Sequence, residues 1–172
     1  SDRLAYATAE QQDRYRLAAT AKEKVPVVKQ LIAAHPDEPT LVIGQYLDQL
    51  ADLAEELNCP VITGETKLKE RQSLYDQFRR GELPVLLVSK VANFSIDLPD
   101  ASVAIQVSGS FGSRQEEAQR LGRILRPKQD GRTAHFYTIV VRDTVDAEFA
   151  ANRQRFLAEQ GYPYRILDAE DL

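Results

Sequence analysis

The sequence predicts an α/β fold in which helices cover both faces of a mostly parallel sheet. Apolar runs of four to seven residues alternate with helix-prone stretches of ten residues or more. Such alternation is typical of βαβ units, and strands that are apolar throughout are buried on both faces. At 172 residues, the chain is long enough to form one domain with a substantial core.

The predicted elements begin with a polar, helix-prone lead over residues 8–22. Pro26 then stands in the first turn of a helix over 26–35, which the sequence HPDEP ends. The predicted strands cover residues 40–44, 59–64, 84–89, 102–109 and 133–141. The remaining predicted helices cover residues 46–57, 69–81, 114–126 and 144–160.

Helical spacing and glycines support these boundaries. In the helix over 46–57, the apolar residues that recur at helical spacing are Leu47, Leu50, Ala51, Ala54 and Leu57. Two of the helices are closed by glycines at positions 81 and 161.

Composition excludes several classes of protein. A net charge of −4 confines any nucleic-acid contact to a local patch. No apolar run approaches the length of a membrane span, and no signal pattern is present. With Cys59 alone, no internal disulfide can form, which favours a reducing, cytoplasmic setting. The chain has no Met, so we expect a processed chain or a fragment of a longer one.

The common nucleotide-binding motifs are absent. The P-loop pattern G-x-x-x-x-G-K-[ST] and the dinucleotide pattern G-x-G-x-x-G do not occur. The acidic pair in "DEP", residues 37–39, precedes a strand, whereas a magnesium-binding acid of that type follows one. We therefore interpret it as a surface turn.

Ligands of parallel α/β sheets gather at the carboxyl ends of the strands. In this chain those ends read GQY, TGETK, SKVANFSID and SGSFGSR. A candidate site is expected among these four loops.

Arginines recur at every third position in the predicted helix over 114–126. On a helix that turns roughly 100° per residue, Arg120, Arg123 and Arg126 share an arc with Gln119, opposite the apolar residues. The helix and the six residues after it carry six basic residues against three acidic ones. Because arginine suits bidentate contact with phosphate, the pattern favours an anion as the partner. The spacing alone also fits a solvated amphipathic helix.

The sequence QRLGRILR, residues 119–126, resembles motif VI of superfamily 2 helicases, Q-R-x-G-R-x-x-R. The longer stretch VSKVANFSIDLPDASVAIQVSGSFGSRQEEAQRLGRILRPK, residues 88–128, resembles motifs V and VI of the XPB-type DNA repair helicases. RQRFLAEQGYPY, residues 153–164, fits the C-terminal end of that family. The likeness covers roughly residues 25–167 and is strongest with prokaryotic members.

This resemblance implies a domain organisation. Residues 1–24 would be a lead or linker. Residues 25–172 would form the second RecA-like domain, with motifs IV to VI, as a three-layer sandwich that lacks its own P-loop. The P-loop and the magnesium-binding acids would belong to an upstream first RecA-like domain.

The resemblance also implies roles for the arginine helix. Arg123 and Arg126 match the two arginine-finger positions, which are the catalytic candidates and reach the ATP γ-phosphate. Gln119 matches the motif VI glutamine near the phosphates. Arg120 is expected to form a structural or interdomain ion pair.

Asp97, in SIDLP, matches the motif V aspartate that touches the nucleotide ribose or links ATP to nucleic acid. The alternative is a turn residue before Pro99. Many relatives carry Arg-Gly where this chain has Phe94 and Ser95, so an arginine contact there is not inherited.

The resemblance implies DNA-backbone contacts at three strand ends. Ser89 and Lys90 follow one strand, and a hydroxyl, main-chain amides and an ammonium suit sequence-independent phosphate binding. Gly64 and Thr66 lie in the loop that follows DNA. Gln45, in motif IV, is a further DNA candidate or a capping residue.

The sequence thus predicts the C-terminal half of an ATP-dependent 3′-5′ DNA helicase that acts in DNA repair. ATP and Mg²⁺ would be cofactors of the full-length protein, and the fragment alone would bind neither and would be inactive. Expected partners are DNA, the upstream domain in cis and a repair nuclease or repair-complex subunit, in the cytoplasm with the nucleoid.

The sequence leaves two other functions as alternatives. The first is a non-catalytic RecA-like module that binds DNA or a protein. The second is a small-molecule enzyme, for which no nucleophile–base pair is identifiable near His35 or His135.

Overall fold

The computed structural model describes residues 22–89, 101–108 and 135–139. Within them, three helices are α1 (Lys24–Ala34), α2 (Leu47–Leu57) and α3 (Leu68–Arg79). Five strands are β1 (Thr40–Gly44), β2 (Val61–Ile62), β3 (Val85–Ser89), β4 (Val103–Gln106) and β5 (His135–Thr138). The predicted helices over 114–126 and 144–160, and nearly all of the lead, lie outside the described residues.

The five strands form one sheet in the order β2-β3-β1-β4-β5. Each neighbouring pair runs parallel, so the predicted parallel sheet is confirmed. The central strands β1 and β3 are buried at all five positions. This is why their sequences, TLVIG and VLLVS, show no alternation of polar and apolar residues.

Helices cover both faces of the sheet. On one face, α1 and α2 bring Val28, Leu31, Leu50 and Leu53 into a core with alternate residues of β1, β3 and β4. On the other face, α3 brings Tyr75 and Phe78 into a second core. The predicted arrangement of layers is therefore confirmed.

Several predicted boundaries were too wide, for physical reasons. The strand predicted over 59–64 is reduced to two residues, because Pro60 has no N–H for the ladder and Thr63 already enters a turn.

Gly81 does close α3, with φ of +77° just beyond the helix. Asp37 is an exposed turn residue with φ of +63°, as predicted. Glu38 of the same turn is largely covered, its side chain 13% exposed against His35.

The predicted apolar face of α2 was partly wrong. Leu47 is 53% exposed and Ala51 is also exposed. Leu50 is buried as predicted, and the other buried residues of the helix are Gln49 and Leu53. The helix is therefore buried along positions i, i+1 and i+4, counted from Gln49, and Leu47 in its first turn is exposed.

Candidate site at the carboxyl edge of the sheet

Because the strands are parallel, their carboxyl ends meet along one edge of the sheet. Gly44, the last residue of β1, is in register with Ser89, the last residue of β3. Ile62 of β2 is in register with Val88. The sheet therefore gathers at one edge the loops that the sequence analysis singled out and the structure describes.

Gln45, the motif IV residue, is fixed through its main chain. Its N–H donates to Ser108 Oγ over 2.8 Å, and the Ser108 hydroxyl donates to Gln49 Oε1 over 2.8 Å. Among the described residues, no group hydrogen-bonds the buried Oε1 atom of Gln45. The loop after β1 is thus tied to the end of β4 by a buried serine.

Gly44 has no Cβ atom, which allows the end of β1 to pack closely against Leu50 of α2 and Val107 just after β4. A Cβ atom at position 44 would lie 2.9 Å from Leu50 Cδ2 and 3.1 Å from Val107 Cγ2. Both contacts are tighter than ordinary packing, and Leu50 and Val107 are fully buried. Any larger residue would require the buried side chains of Leu50 and Val107 to shift.

The TGETK loop after β2 is held by its own hydrogen bonds. Thr63 N–H donates to Thr66 Oγ1 over 2.9 Å, and Thr66 N–H donates to Thr63 O over 3.2 Å. A guanidinium nitrogen of Arg71 donates to the same Thr63 carbonyl over 3.3 Å. Gly64 and Glu65 at the tip are exposed. These hydrogen bonds fix the base of the loop at Thr63 and Thr66, while Gly64 at its tip is exposed to solvent.

Ser89 differs from the loop residues in its exposure. It is 1% exposed, so its hydroxyl is covered by the domain. Lys90, the next residue, lies outside the described residues.

The motif V and VI candidates Asp97, Gln119, Arg123 and Arg126 also lie outside the described residues, as does Arg120. Their chain segments leave the sheet from the described edge. The first follows Ser89 at the end of β3, and the second follows Ser108 just beyond β4.

A buried lysine at this edge was missed by the sequence analysis. Lys24 is 2% exposed, and its ammonium donates to the carbonyl oxygen of Val107 over 2.7 Å. The available signal was its spacing: Lys24, Val28 and Leu31 stand at i, i+4 and i+7, on the buried face of α1.

Both histidines lie at the opposite, amino edge of the sheet. The ring nitrogens of His35 lie 2.7 Å from Glu38 Oε2 and 2.7 Å from Tyr137 Oη. Because a carboxylate oxygen accepts, His35 Nδ1 donates to Glu38 in this contact. His135 packs beside His35, with ring centroids 4.7 Å apart. This cluster joins the end of α1 to β5, away from the candidate site.

Other chemistry is sparse in the described part of the chain. It contains no group of three or more His, Cys, Asp or Glu residues that could hold a metal ion.

Burial raises the pKa of the Cys59 thiol, whose sulfur donates to Leu57 O over 3.2 Å. No helix in residues 22–89, 101–108 and 135–139 is long and apolar enough to cross a membrane.

Comparison with known proteins identifies the family. Residues 4–171 match the family described as ERCC3/RAD25/XPB C-terminal helicase. The chain belongs to this family. Its relatives include the DNA 3′-5′ helicase XPB of Kineococcus radiotolerans, 68% identical over all 172 residues and 31% of that protein. The protein of the same name from Mycobacterium tuberculosis is 66% identical over the same shares.

The XPB-family chain therefore spans about a third of the length of these two relatives. Among solved structures, it resembles the C-terminal domain of the DEAD-box protein Dbp5, with a TM-score of 0.68 and 17% identity over 81% of each chain. At that identity the likeness shows the fold alone. The predicted RecA-like fold and the resemblance to XPB-type helicases are confirmed.

Proposed function

We propose that this chain is the second RecA-like domain of an ATP-dependent 3′-5′ DNA helicase of the XPB type. Its membership of the XPB C-terminal helicase family over residues 4–171 carries the proposal. Two relatives with at least 66% identity are named DNA 3′-5′ helicases. The chain spans 31% of each of these relatives, so we assign the other parts of the helicase to sequence outside this chain.

In this proposal Arg123 and Arg126 supply arginine fingers to ATP bound on an upstream domain. Phosphoryl transfer spreads negative charge over the γ-phosphate oxygens, and a guanidinium from a neighbouring domain stabilises it by about 10³–10⁵ in rate. Gln119 would lie near the phosphates and Asp97 near the ribose. The chain has no P-loop, so the triphosphate and its Mg²⁺ are assigned to the upstream domain.

The carboxyl edge would also carry the DNA contacts. The exposed main chain at Gly64 and the ordered hydroxyl of Thr66 suit phosphate oxygens, which carry no sequence information. The covered hydroxyl of Ser89 favours a contact through the following main chain and Lys90. Gln45, beside these loops, is the fourth candidate contact. A DNA repair role, a repair nuclease as partner and a cytoplasmic, nucleoid-associated location complete the proposal.

The test is Arg126→Ala in the full-length protein. Removing a finger should lower DNA-stimulated ATPase kcat by about 10³-fold or more, while DNA affinity at fixed salt survives. Arg80→Ala is the matched control, because Arg80 is an exposed guanidinium paired with Glu82. It should leave both quantities unchanged.

The opposite outcome favours a different function. If Arg126→Ala abolishes DNA binding and leaves ATPase activity intact, the domain is a non-catalytic binding module. The purified 172-residue chain should show no ATP hydrolysis by itself, since it lacks the P-loop. Hydrolysis by that chain would contradict the assignment of ATP to the upstream domain.

A further inference from the structure

The exposed TGETK loop follows the shortest strand that the structure describes. β2 has two residues, and it is the outermost strand in the sheet order β2-β3-β1-β4-β5. An edge strand of this length forms few ladder hydrogen bonds, so it holds the loop that follows only weakly. The position of the loop therefore depends on contacts from outside the strand.

Arg71, near the start of α3, supplies such a contact. A terminal nitrogen of its guanidinium donates to Thr63 O over 3.3 Å, and Thr66 N–H donates to the same oxygen over 3.2 Å. A carbonyl oxygen has two lone pairs and can accept both hydrogen bonds. The helix and the loop thus hold the Thr63 carbonyl together.

Arg71 is poorly satisfied for a residue with a purely structural role. Its Nε atom is buried and has no hydrogen-bond partner. Of the carboxylates in the described part of the chain, none forms an ion pair with its guanidinium. Because a buried donor without a partner costs free energy, an apolar side chain of similar length would stabilise the fold as well. The stability of the domain therefore does not explain the guanidinium.

Residues 63–66 form a β-turn with one main-chain donor left over. Thr66 N–H closes the turn on Thr63 O, Glu65 N–H donates to Thr63 Oγ1 over 3.2 Å, and Thr63 N–H donates to Thr66 Oγ1 over 2.9 Å. Within the described residues no acceptor contacts Gly64 N–H, and Gly64 is exposed. Gly64 N–H is therefore available to a ligand outside the domain.

The Thr63–Gly64 peptide unit connects the guanidinium to this donor. In a trans peptide unit the C=O and N–H groups point in opposite directions, and the described residues contain no cis peptide bond. A hydrogen bond at the carbonyl end polarises the unit, which strengthens the N–H at the other end as a donor. A cation on Thr63 O therefore both fixes Gly64 N–H and increases its attraction for an anion.

We propose that Arg71 is a positioning residue for DNA binding, which fixes and polarises the Thr63–Gly64 peptide unit so that Gly64 N–H donates to a DNA phosphate. The inference rests on the proposed function, which assigns a DNA contact to Gly64. Arg71 acts through Thr63 O and does not touch the DNA itself. A main-chain contact to phosphate carries no sequence information, which suits a helicase that moves along any sequence.

The test compares Arg71→Met with wild type in the full-length protein, using a fluorescently labelled DNA oligonucleotide. Methionine keeps an unbranched apolar stem and removes every donor. DNA affinity at fixed salt should fall about two- to tenfold, the usual effect of weakening one hydrogen bond. The DNA concentration that half-saturates ATPase activity should rise by the same factor, whereas kcat at saturating DNA should stay unchanged.

Salt dependence separates positioning from direct contact. A cationic side chain that neutralises a phosphate contributes about one to the slope of log affinity against log salt. Because Arg71 acts through a main-chain N–H, the slope should be the same in Arg71→Met and wild type. A slope smaller by about one would overturn the proposal and make Arg71 a direct phosphate contact.

Gly64 offers a sharper test, because proline fits the second position of this turn. Neither Gly64 nor Glu65 has a positive φ, as in a type I turn, in which proline is favoured directly after the first residue. Gly64→Pro therefore keeps the turn and removes the N–H, whereas Gly64→Ala keeps both. Arg71→Met should lower DNA affinity about two- to tenfold in the Gly64→Ala background and by much less in the Gly64→Pro background. Equal losses in both backgrounds would overturn the proposal.

The matched control is Arg79→Met on the same helix. Arg79 has a side chain that is about half exposed and pairs with Asp76 over 3.0 Å, so its loss removes the same charge without affecting Thr63. It should leave DNA affinity unchanged. Arg71→Lys, which keeps a cationic donor near Thr63 O, should recover part of the lost affinity.

Thermal unfolding distinguishes positioning from general support of the fold. The Tm of Arg71→Met should stay close to that of wild type, because the change removes an unsatisfied buried donor together with one hydrogen bond. Unchanged DNA affinity in folded Arg71→Met would overturn the proposal. Failure of both Arg71→Met and Arg71→Lys to fold, seen by circular dichroism, would also overturn it and leave a purely structural arginine.

These outcomes also separate the inference from the proposed function. If Gly64→Pro weakens DNA binding and Arg71→Met does not, only the role of Arg71 fails. If Gly64→Pro binds DNA as tightly as wild type, the DNA contact at Gly64 fails and the role of Arg71 fails with it. Neither result affects the arginine-finger assignment, which Arg126→Ala tests through kcat.

Discussion

Ser108 shows how a single buried side chain can hold two strand ends together. It accepts a hydrogen bond from the main chain after β1 and donates one to Gln49 on α2. It is 4% exposed, so water cannot replace either partner without a rearrangement. The position of Gln45 beside the proposed DNA path therefore depends on this hydroxyl.

Ser108→Ala should destabilise the protein by about 1–3 kcal/mol, because it removes the acceptor of the part-buried Gln45 N–H and a donor to the buried Gln49. The free energy of unfolding, obtained from urea denaturation, measures the effect. Ser73→Ala is the control, since Ser73 is exposed and accepts a surface hydrogen bond from Gln77 within α3. Equal stability of Ser108→Ala and wild type would show that Ser108 does not hold the edge together.

At the scale of elements, the core face of α2 gives a direct comparison between two leucines of one helix. Leu53 is 1% exposed and packs in the core on the α1–α2 face of the sheet, whereas Leu47 is 53% exposed. The sequence pattern alone placed Leu47 on the buried face, because a helical period does not reveal where a helix passes beyond the sheet.

Leu53→Ala should lower the free energy of unfolding by about 2–5 kcal/mol, since it leaves a cavity in a packed core. Leu47→Ala should change it by less than about 0.5 kcal/mol. Thermal and urea unfolding of the two variants provide the measurement. A larger loss for Leu47→Ala than for Leu53→Ala would mean that α2 is rotated relative to this description.

The strands were predictable because a strand that is buried on both faces has a nearly continuous apolar sequence, as in TLVIG of β1. Helices on both faces then follow from parallel βαβ units, whereas the order of the strands is seen only in the structure. Contacts across long separations left no such pattern. Lys24 and Val107 are 83 positions apart in the sequence, and Ser108 and Gln49 are 59 positions apart. No pattern in the segment around any of these residues predicts its partner.

At the scale of the whole molecule, the domain has two distinct edges. The amino edge carries the His35, Glu38 and Tyr137 cluster, which joins α1 to the outer strand β5. The carboxyl edge carries the exposed TGETK loop and the origins of both motif segments. The sequence predicts function at the carboxyl edge because ligands of parallel α/β sheets gather at the ends of the strands. The site residues placed there stay a prediction.

The most direct test is a structure of the full-length protein with DNA, ADP and beryllium fluoride, which mimics the γ-phosphate. We expect guanidinium nitrogens of Arg123 and Arg126 within about 3 Å of the fluoride atoms, with the nucleotide phosphates held by the upstream domain. Both guanidiniums paired with carboxylates of their own domain, away from the nucleotide, would contradict it.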